Sequence, residues 1–147
     1  MSKSTKSSKK KTSKSAAKTK AKQTDNGKTS LDTAYLINGS DAAVTLEIIL
    51  GAPGQTGTTD IILDRVHIIT GEQGSLNEFA LGTNRKLNGK TMYITTIVSD
   101  TSKDSNYLET IIRLRGGVRF SEYTLYKTVP KSGENAIFTS SIEFFKI

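Results

Sequence analysis

From residue 31 to residue 147, apolar side chains tend to fall at every second position, and the pattern is broken roughly every 8–14 residues by Gly, Asn, Asp or Pro. A period of two puts successive side chains on opposite faces of an extended chain. No stretch sustains the 3.6-residue period of an amphipathic helix, so the pattern restricts the chain to short strands joined by turns. The clearest strand is Ala43–Leu50, where Val44, Leu46, Ile48 and Leu50 fall on one face and Thr45 and Glu47 on the other. In 91–99, Met92, Ile94, Thr96 and Val98 share a face. Further runs at 31–37, 60–70, 76–81, 107–115, 118–128 and 136–147 complete the set. Between them 51–59 and 100–106 read as loops, Gly71-Glu72-Gln73-Gly74 as a turn and Asn88-Gly89 as a tight hairpin turn. Asp64-Arg65 reads as a bulge inside one long run.

The fold expected is all-β: an antiparallel β-sandwich, jelly-roll or immunoglobulin-like, of about eight strands. Gly116-Gly117 is a two-residue hairpin signal. Its register pairs Arg115 with Val118, Arg113 with Phe120, Ile111 with Glu122, Glu109 with Thr124 and Tyr107 with Tyr126. One face then carries Leu108, Ile112, Leu114, Tyr123 and Leu125, a core pattern. The other mixes Arg and Glu with Tyr107, Phe120 and Tyr126. In the final run Phe138, Ile142 and Phe144 point inward, leaving Phe145 and Ile147 outward. Tyr107, Arg113, Arg115, Phe120, Tyr126, Phe145 and Ile147 are therefore the candidate interface.

Charge divides the chain in two. Residues 1–30 hold ten Lys and one Asp, a balance of +9, while 31–147 hold eleven basic and thirteen acidic side chains, a balance of −2. The net +7 of the whole chain is thus the property of an arm. Residues 2–22, SKSTKSSKKKTSKSAAKTKAK, are nearly half Lys and otherwise mostly Ser, Thr and Ala. Such a block cannot bury enough apolar area to offset the entropy of ordering. The expected organisation is a disordered Lys-rich arm and hinge over 1–30, with Asn26-Gly27 as a turn signal, and a β-sandwich domain over 31–147.

A thin polycation of this kind suits a polyphosphate, because neutralising phosphates releases condensed counterions. Lysine supplies point charges and not the planar fork of arginine, so the contact expected is non-specific. The nucleic-acid-binding candidates are Lys6, Lys9, Lys10, Lys11, Lys14, Lys18, Lys20 and Lys22. An import signal or a solubility tail is a competing reading of the same lysines. Attachment to an acidic membrane is weakened by the lack of aromatics and of a lipidation signal, since Ser2 follows Met1.

Other chemistry has little to stand on. The chain has no Cys, which excludes disulfides, thiol nucleophiles and Cys-based zinc sites. Its one His, His67, lies in a β run and reads as packed or hydrogen-bonded more readily than as a base. No G-x-S-x-G elbow occurs. Gly51-Ala52-Pro53-Gly54-Gln55-Thr56-Gly57 lacks the G-K-[ST] ending of a phosphate loop and no helix follows it. Asp100 and Asp104, with Ser102 and Asn106, are too few and wrongly spaced for an EF-hand. The expectation is of no catalytic residue, no metal and no cofactor. No apolar run reaches the length of a membrane span and no apolar segment follows the basic N-terminal region, so a cytoplasmic protein is expected, nuclear in a eukaryote.

A polycationic N-terminal arm on a small all-β domain is similar in layout to small viral coat proteins, whose arms hold the packaged genome. The resemblance covers the order of parts and carries no specific residue. It implies a homo-oligomer in a virion-like assembly. The function expected is thus a non-enzymatic structural or assembly protein, with a β domain that self-associates or docks and an arm that binds nucleic acid. The alternative is a protein-binding β module of a multi-protein machine, its arm contacting an acidic partner or serving as an import signal. An enzyme or lectin would instead need a concave pocket at the loops 51–59 and 100–106.

Overall fold

The computed structural model describes residues 27–51, 55–101 and 106–147. Among them are ten strands and one turn of helix: β1 (Gly27–Lys28), β2 (Ser30–Leu36), β3 (Ala43–Leu50), β4 (Gln55–Leu63), β5 (Val66–Gln73), β6 (Leu76–Thr83), α1 (Asn84–Leu87), β7 (Thr91–Asp100), β8 (Tyr107–Arg115), β9 (Ser121–Thr128) and β10 (Asn135–Phe145). They form two five-stranded sheets, ordered β1-β9-β8-β3-β6 and β2-β10-β7-β4-β5. The inner faces close over one apolar core in a sandwich-like, all-β arrangement. Val44, Leu46 and Ile48 of β3 and Leu108, Ile112 and Leu114 of β8 meet Ile61 of β4, Met92, Ile94 and Val98 of β7 and Phe138, Ile142 and Phe144 of β10, all buried. The alternation read from these strands is the alternation of burial observed. At roughly 25 cal/mol per Å² of apolar surface removed from water, this core is the main stabilising term.

The arrangement is not wholly antiparallel. β2 lies parallel to β10, with Ser30 opposite Thr139 and Leu36 opposite Phe145. The connection β1–β2 crosses from the edge of one sheet to the edge of the other, so β2 arrives beside β10 running in the same direction. Residues 27–30, read as part of a hinge, already pair: Gly27 and Lys28 sit on β9 opposite Lys127 and Tyr126.

Several local expectations change for identifiable reasons. The run 60–70 is two strands. Asp64 and Arg65 both have positive φ, 48° and 67°, and form the two-residue turn between β4 and β5 instead of a bulge. The irregularities in this ladder lie between Thr59 and Ile62. Gln55–Gly57 belong to β4, paired with Asp100, Ser99 and Val98, and not to a loop. Gly71–Gln73 extend β5 past a residue with φ of 62°, whose N–H donates to Asp60 Oδ1 at 2.6 Å. Asn88-Gly89 does not close a hairpin. It follows α1, which carries the chain from β6 in one sheet to β7 in the other.

The β8–β9 hairpin is also longer than two residues. Arg113 pairs with Glu122, Ile111 with Thr124, Glu109 with Tyr126 and Tyr107 with Thr128, a slip of two from the expected register. The side-chain period is two, so each residue keeps its face. The slip comes from Tyr35 of β2. Its buried hydroxyl accepts from the Gly117 N–H at 3.0 Å and donates to the Arg119 carbonyl at 2.8 Å, while Val118 N–H donates to the Leu36 carbonyl. A Cβ at Gly117 would lie 2.5 Å from the Tyr35 ring, and one at Gly116, where φ is 97°, would run into the Ala43 carbonyl oxygen. Residues 116–120 therefore lie as a docked loop across the open side of the sandwich.

Asn84 fixes the same end. Fully buried, it donates from Nδ2 to the Ala42 and Gly116 carbonyls, each at 2.9 Å, and accepts from the Asn38 N–H at 3.1 Å. Two loops, 37–42 and 116–120, are thus pinned by one amide, placed at the start of α1 by the Thr83 cap, whose hydroxyl accepts from Lys86 N–H.

Candidate functional site

Pairing of β9, β8 and β3 sets the rows of the outer face. Glu122, Arg113 and Glu47 lie side by side in one row, and Arg115 stands in the next, opposite Thr45. Arg113 Nε donates to Glu122 Oε2 at 2.7 Å, Arg115 Nη1 donates to Glu47 Oε1 at 3.0 Å, and Arg113 Nη1 reaches the same oxygen at 3.5 Å. The Glu47 side chain is 20% exposed. The hydrogen bond from Arg115 holds its pKa below the usual 4.5 against the opposing effect of burial, with Arg113 adding to the lowering. The hydrogen bond to Glu122 likewise raises the Arg113 pKa above its ordinary value. Both guanidinium groups are committed to carboxylates within the protein, which leaves them poorly disposed to clamp a phosphate.

The aromatic members of the expected interface separate into three places. Phe120 is not a strand partner of Arg113. It sits in the docked loop, 51% exposed, with the Arg115 guanidinium carbon 4.9 Å from its ring centroid. Tyr107 and Tyr126 stack on each other, centroids 6.0 Å apart and planes 29° from parallel, at the far end of the same face. Burial, and then the charge of Glu109, push the Tyr107 hydroxyl above its ordinary 10.0. Phe145 ends β10 on the opposite sheet, exposed, and Ile147 beyond it is 94% exposed.

Phe145 and Phe120 do converge, although they belong to different sheets. They border a cleft of about 610 Å³ at the open side of the sandwich, between β2 and the start of β9, with Arg119, Glu122 and Tyr123. The sequence offered no signal for this meeting, because it depends on the docking of residues 116–120 against Tyr35. A second hollow of about 540 Å³ lies against β4, β5 and β7 and is lined by Gln55, Thr56, Thr58, Gln73, Ile97 and Ser99 with neighbouring glycines. Its lining offers hydroxyl and amide groups and no ionisable side chain.

The remaining candidates are distributed as follows. Lys6, Lys9, Lys10, Lys11, Lys14, Lys18, Lys20 and Lys22 lie outside the described residues, as do Ser102, Asp104 and residues 52–54 of the Gly-rich stretch. His67, read as packed or hydrogen-bonded, is exposed on the edge strand β5 opposite Ile62. Asp100 is buried at the end of β7, its backbone bonded to Gly133 and Glu134. Among the described residues no group of three or more His, Asp or Glu could hold a metal ion, and no helix is long and apolar enough to cross a membrane.

No known family model, curated protein or solved structure matches the chain.

Proposed function

We propose that this chain is a non-enzymatic structural or assembly protein. Its β domain self-associates or docks in a larger assembly, and its Lys-rich arm binds nucleic acid without sequence preference. The observation that carries this reading is the partition of charge. The arm segment holds +9, whereas the rest of the chain is at −2, and Arg113 and Arg115 on its aromatic face are held by Glu47 and Glu122. Attraction for phosphate therefore resides in the arm, and the domain serves to hold arms together, where weak tethers gain avidity.

Self-association is supported by the outer face of the sheet β2-β10-β7-β4. Tyr93, Ile97, Ile137 and Phe145 are exposed there, Ile97 opposite Ile137. The outward positions of these four strands carry Asp32, Asp60 and Glu143 and, among the described residues, neither Lys nor Arg. A face so weakly charged can meet another copy without strong repulsion. A jelly-roll or immunoglobulin-like sandwich is the finer fold reading that accompanies this role, and the cytoplasm or a virion-like assembly its setting.

Filter binding to nucleic acid across a salt series tests the reading. With about half of the arm's lysines engaged, log affinity against log salt has a slope of roughly −4. Deleting residues 1–22 abolishes the binding and the slope. Undiminished binding by the deletion variant sinks the proposal. A full-length chain with no affinity for nucleic acid favours the rival module with an acidic protein partner. Light scattering with and without nucleic acid reads the assembly state directly.

A further inference from the structure

The arm joins the domain at a defined place. Gly27 and Lys28 pair with Lys127 and Tyr126 of β9, and Tyr126 pairs in turn with Glu109 of β8. Directly opposed residues of an antiparallel ladder share a face. Lys28, the tenth lysine counted from Met1, thus stands beside the Tyr126 ring on the outer face, exposed and with no ion pair among the described residues. Tyr107 stacks on Tyr126 from the neighbouring row, on the side from which the arm enters. The contact between β1 and β9 is unusually close. Gly27 has φ of 138°, and a Cβ there would run into the Tyr126 carbonyl oxygen. Glycine at this position is what seats the base of the polycation against the tyrosine pair.

We propose that Tyr126 and Tyr107 form a base-stacking platform at the root of the arm, so that the chain prefers single-stranded polynucleotide to duplex. The proposal rests on the reading of the arm as a nucleic-acid tether. Bases in a duplex are already stacked on their neighbours, whereas a single strand held by the arm has free π-faces to place on an aromatic ring. Arg113 and Arg115 take no part, being committed to Glu47 and Glu122. Glu109 hydrogen-bonds the Tyr107 side chain and is the one acid in the Tyr126 row. It repels phosphates from the rings while Lys28 attracts them on the other flank. The backbone of the strand is then directed toward β1 and the arm, and its bases toward the tyrosines.

Full-length protein is titrated with an unstructured single strand, DNA in one arm of the experiment and RNA in the other, and with the matching duplex. The chain has five Tyr and no Trp, so tyrosine emission reports stacking directly. The expected result is quenching by single strands of one or both sugars and little by duplex. Tyr126→Leu, which keeps apolar cover but removes the π-face, lowers single-strand affinity by about 10- to 100-fold. Tyr126→Phe binds as the native chain does. Gly27→Val leaves the arm's charge intact but lifts β1 from β9, and it reduces the preference for single strands with the same salt slope. Equal affinity for single strand and duplex in the native chain overturns the proposal. So does a Tyr126→Leu variant that binds single strands undiminished. Either result leaves the tether reading standing if deletion of residues 1–22 still abolishes binding. Absence of binding by the native full-length chain overturns both.

Discussion

Replacing Tyr35 by Phe isolates the tie between the two edges of the sandwich. The ring is kept, and with it the edge-on contact to Phe144 at 6.1 Å and 84°. Only the hydroxyl goes, along with its hydrogen bonds to Gly117 N–H and the Arg119 carbonyl. At a net 0.5–1.5 kcal/mol for each, the loss is about 1–3 kcal/mol. For a domain of this size that is a fall in Tm of roughly 4–12 °C, measured by circular dichroism at neutral pH. A second measurement fixes the cause. Burial raises the Tyr35 pKa above 10.0, although the bond from Gly117 works the other way. A folded pKa above the unfolded value means a contribution that is complete below about 10 and is lost as pH rises through the folded pKa. The native chain loses this part of its advantage in alkali and the Phe variant has none to lose, so the gap in Tm narrows above pH 10. A Phe variant as stable as the native chain, or a gap unchanged into strong alkali, would refute the reasoning.

Two further outcomes are expected. Asn84→Ala leaves the Asn38 N–H and the Gly116 carbonyl without this partner inside the fold and costs about 2–5 kcal/mol by chemical denaturation, with residues 37–42 and 116–120 losing hydrogen-exchange protection together. Glu47, whose pKa is lowered chiefly by Arg115, contributes stability that is present above pH 4.5 and lost as pH falls through its lower folded pKa. Glu47→Gln removes that part of the acid limb of a Tm–pH curve, and an acid limb identical to the native one contradicts the assignment.

Strand identity was legible wherever one face meets the core. Val44, Leu46 and Ile48, or Met92, Ile94, Thr96 and Val98, announce their direction because burial imposes a period of two on them. What local pattern could not carry was set by distant residues. Asp64-Arg65 contains no Gly or Asn, and its turn is held from outside by a bond from Asp64 N–H to the Thr91 carbonyl at 3.1 Å. Gly116-Gly117 has the form of a tight hairpin, yet Gly117 is claimed by Tyr35, 82 residues earlier in the chain. The aromatic–arginine face was readable for a related reason, since a slip of two residues cannot change which face a side chain occupies. Its electrostatic character was not. Glu122 was visible on that face, but the carboxylate shared by both arginines comes from Glu47 on β3, a neighbour created only by pairing β3 with β8.

The parallel pairing of β2 with β10 also sets a timetable. Ser30 finds its partner Thr139 only after 109 further residues have been made. At ribosomal speeds of about 5–20 residues per second, that is a wait of roughly 5–20 seconds. Through that interval Leu31, Tyr35 and Ile37, all in or beside β2, have no completed sheet to enter. An unpaired apolar strand is a template for aggregation, and neighbouring charge is the usual safeguard. The ten lysines of residues 1–30 stand directly ahead of Ser30 in the sequence and supply charge of that kind.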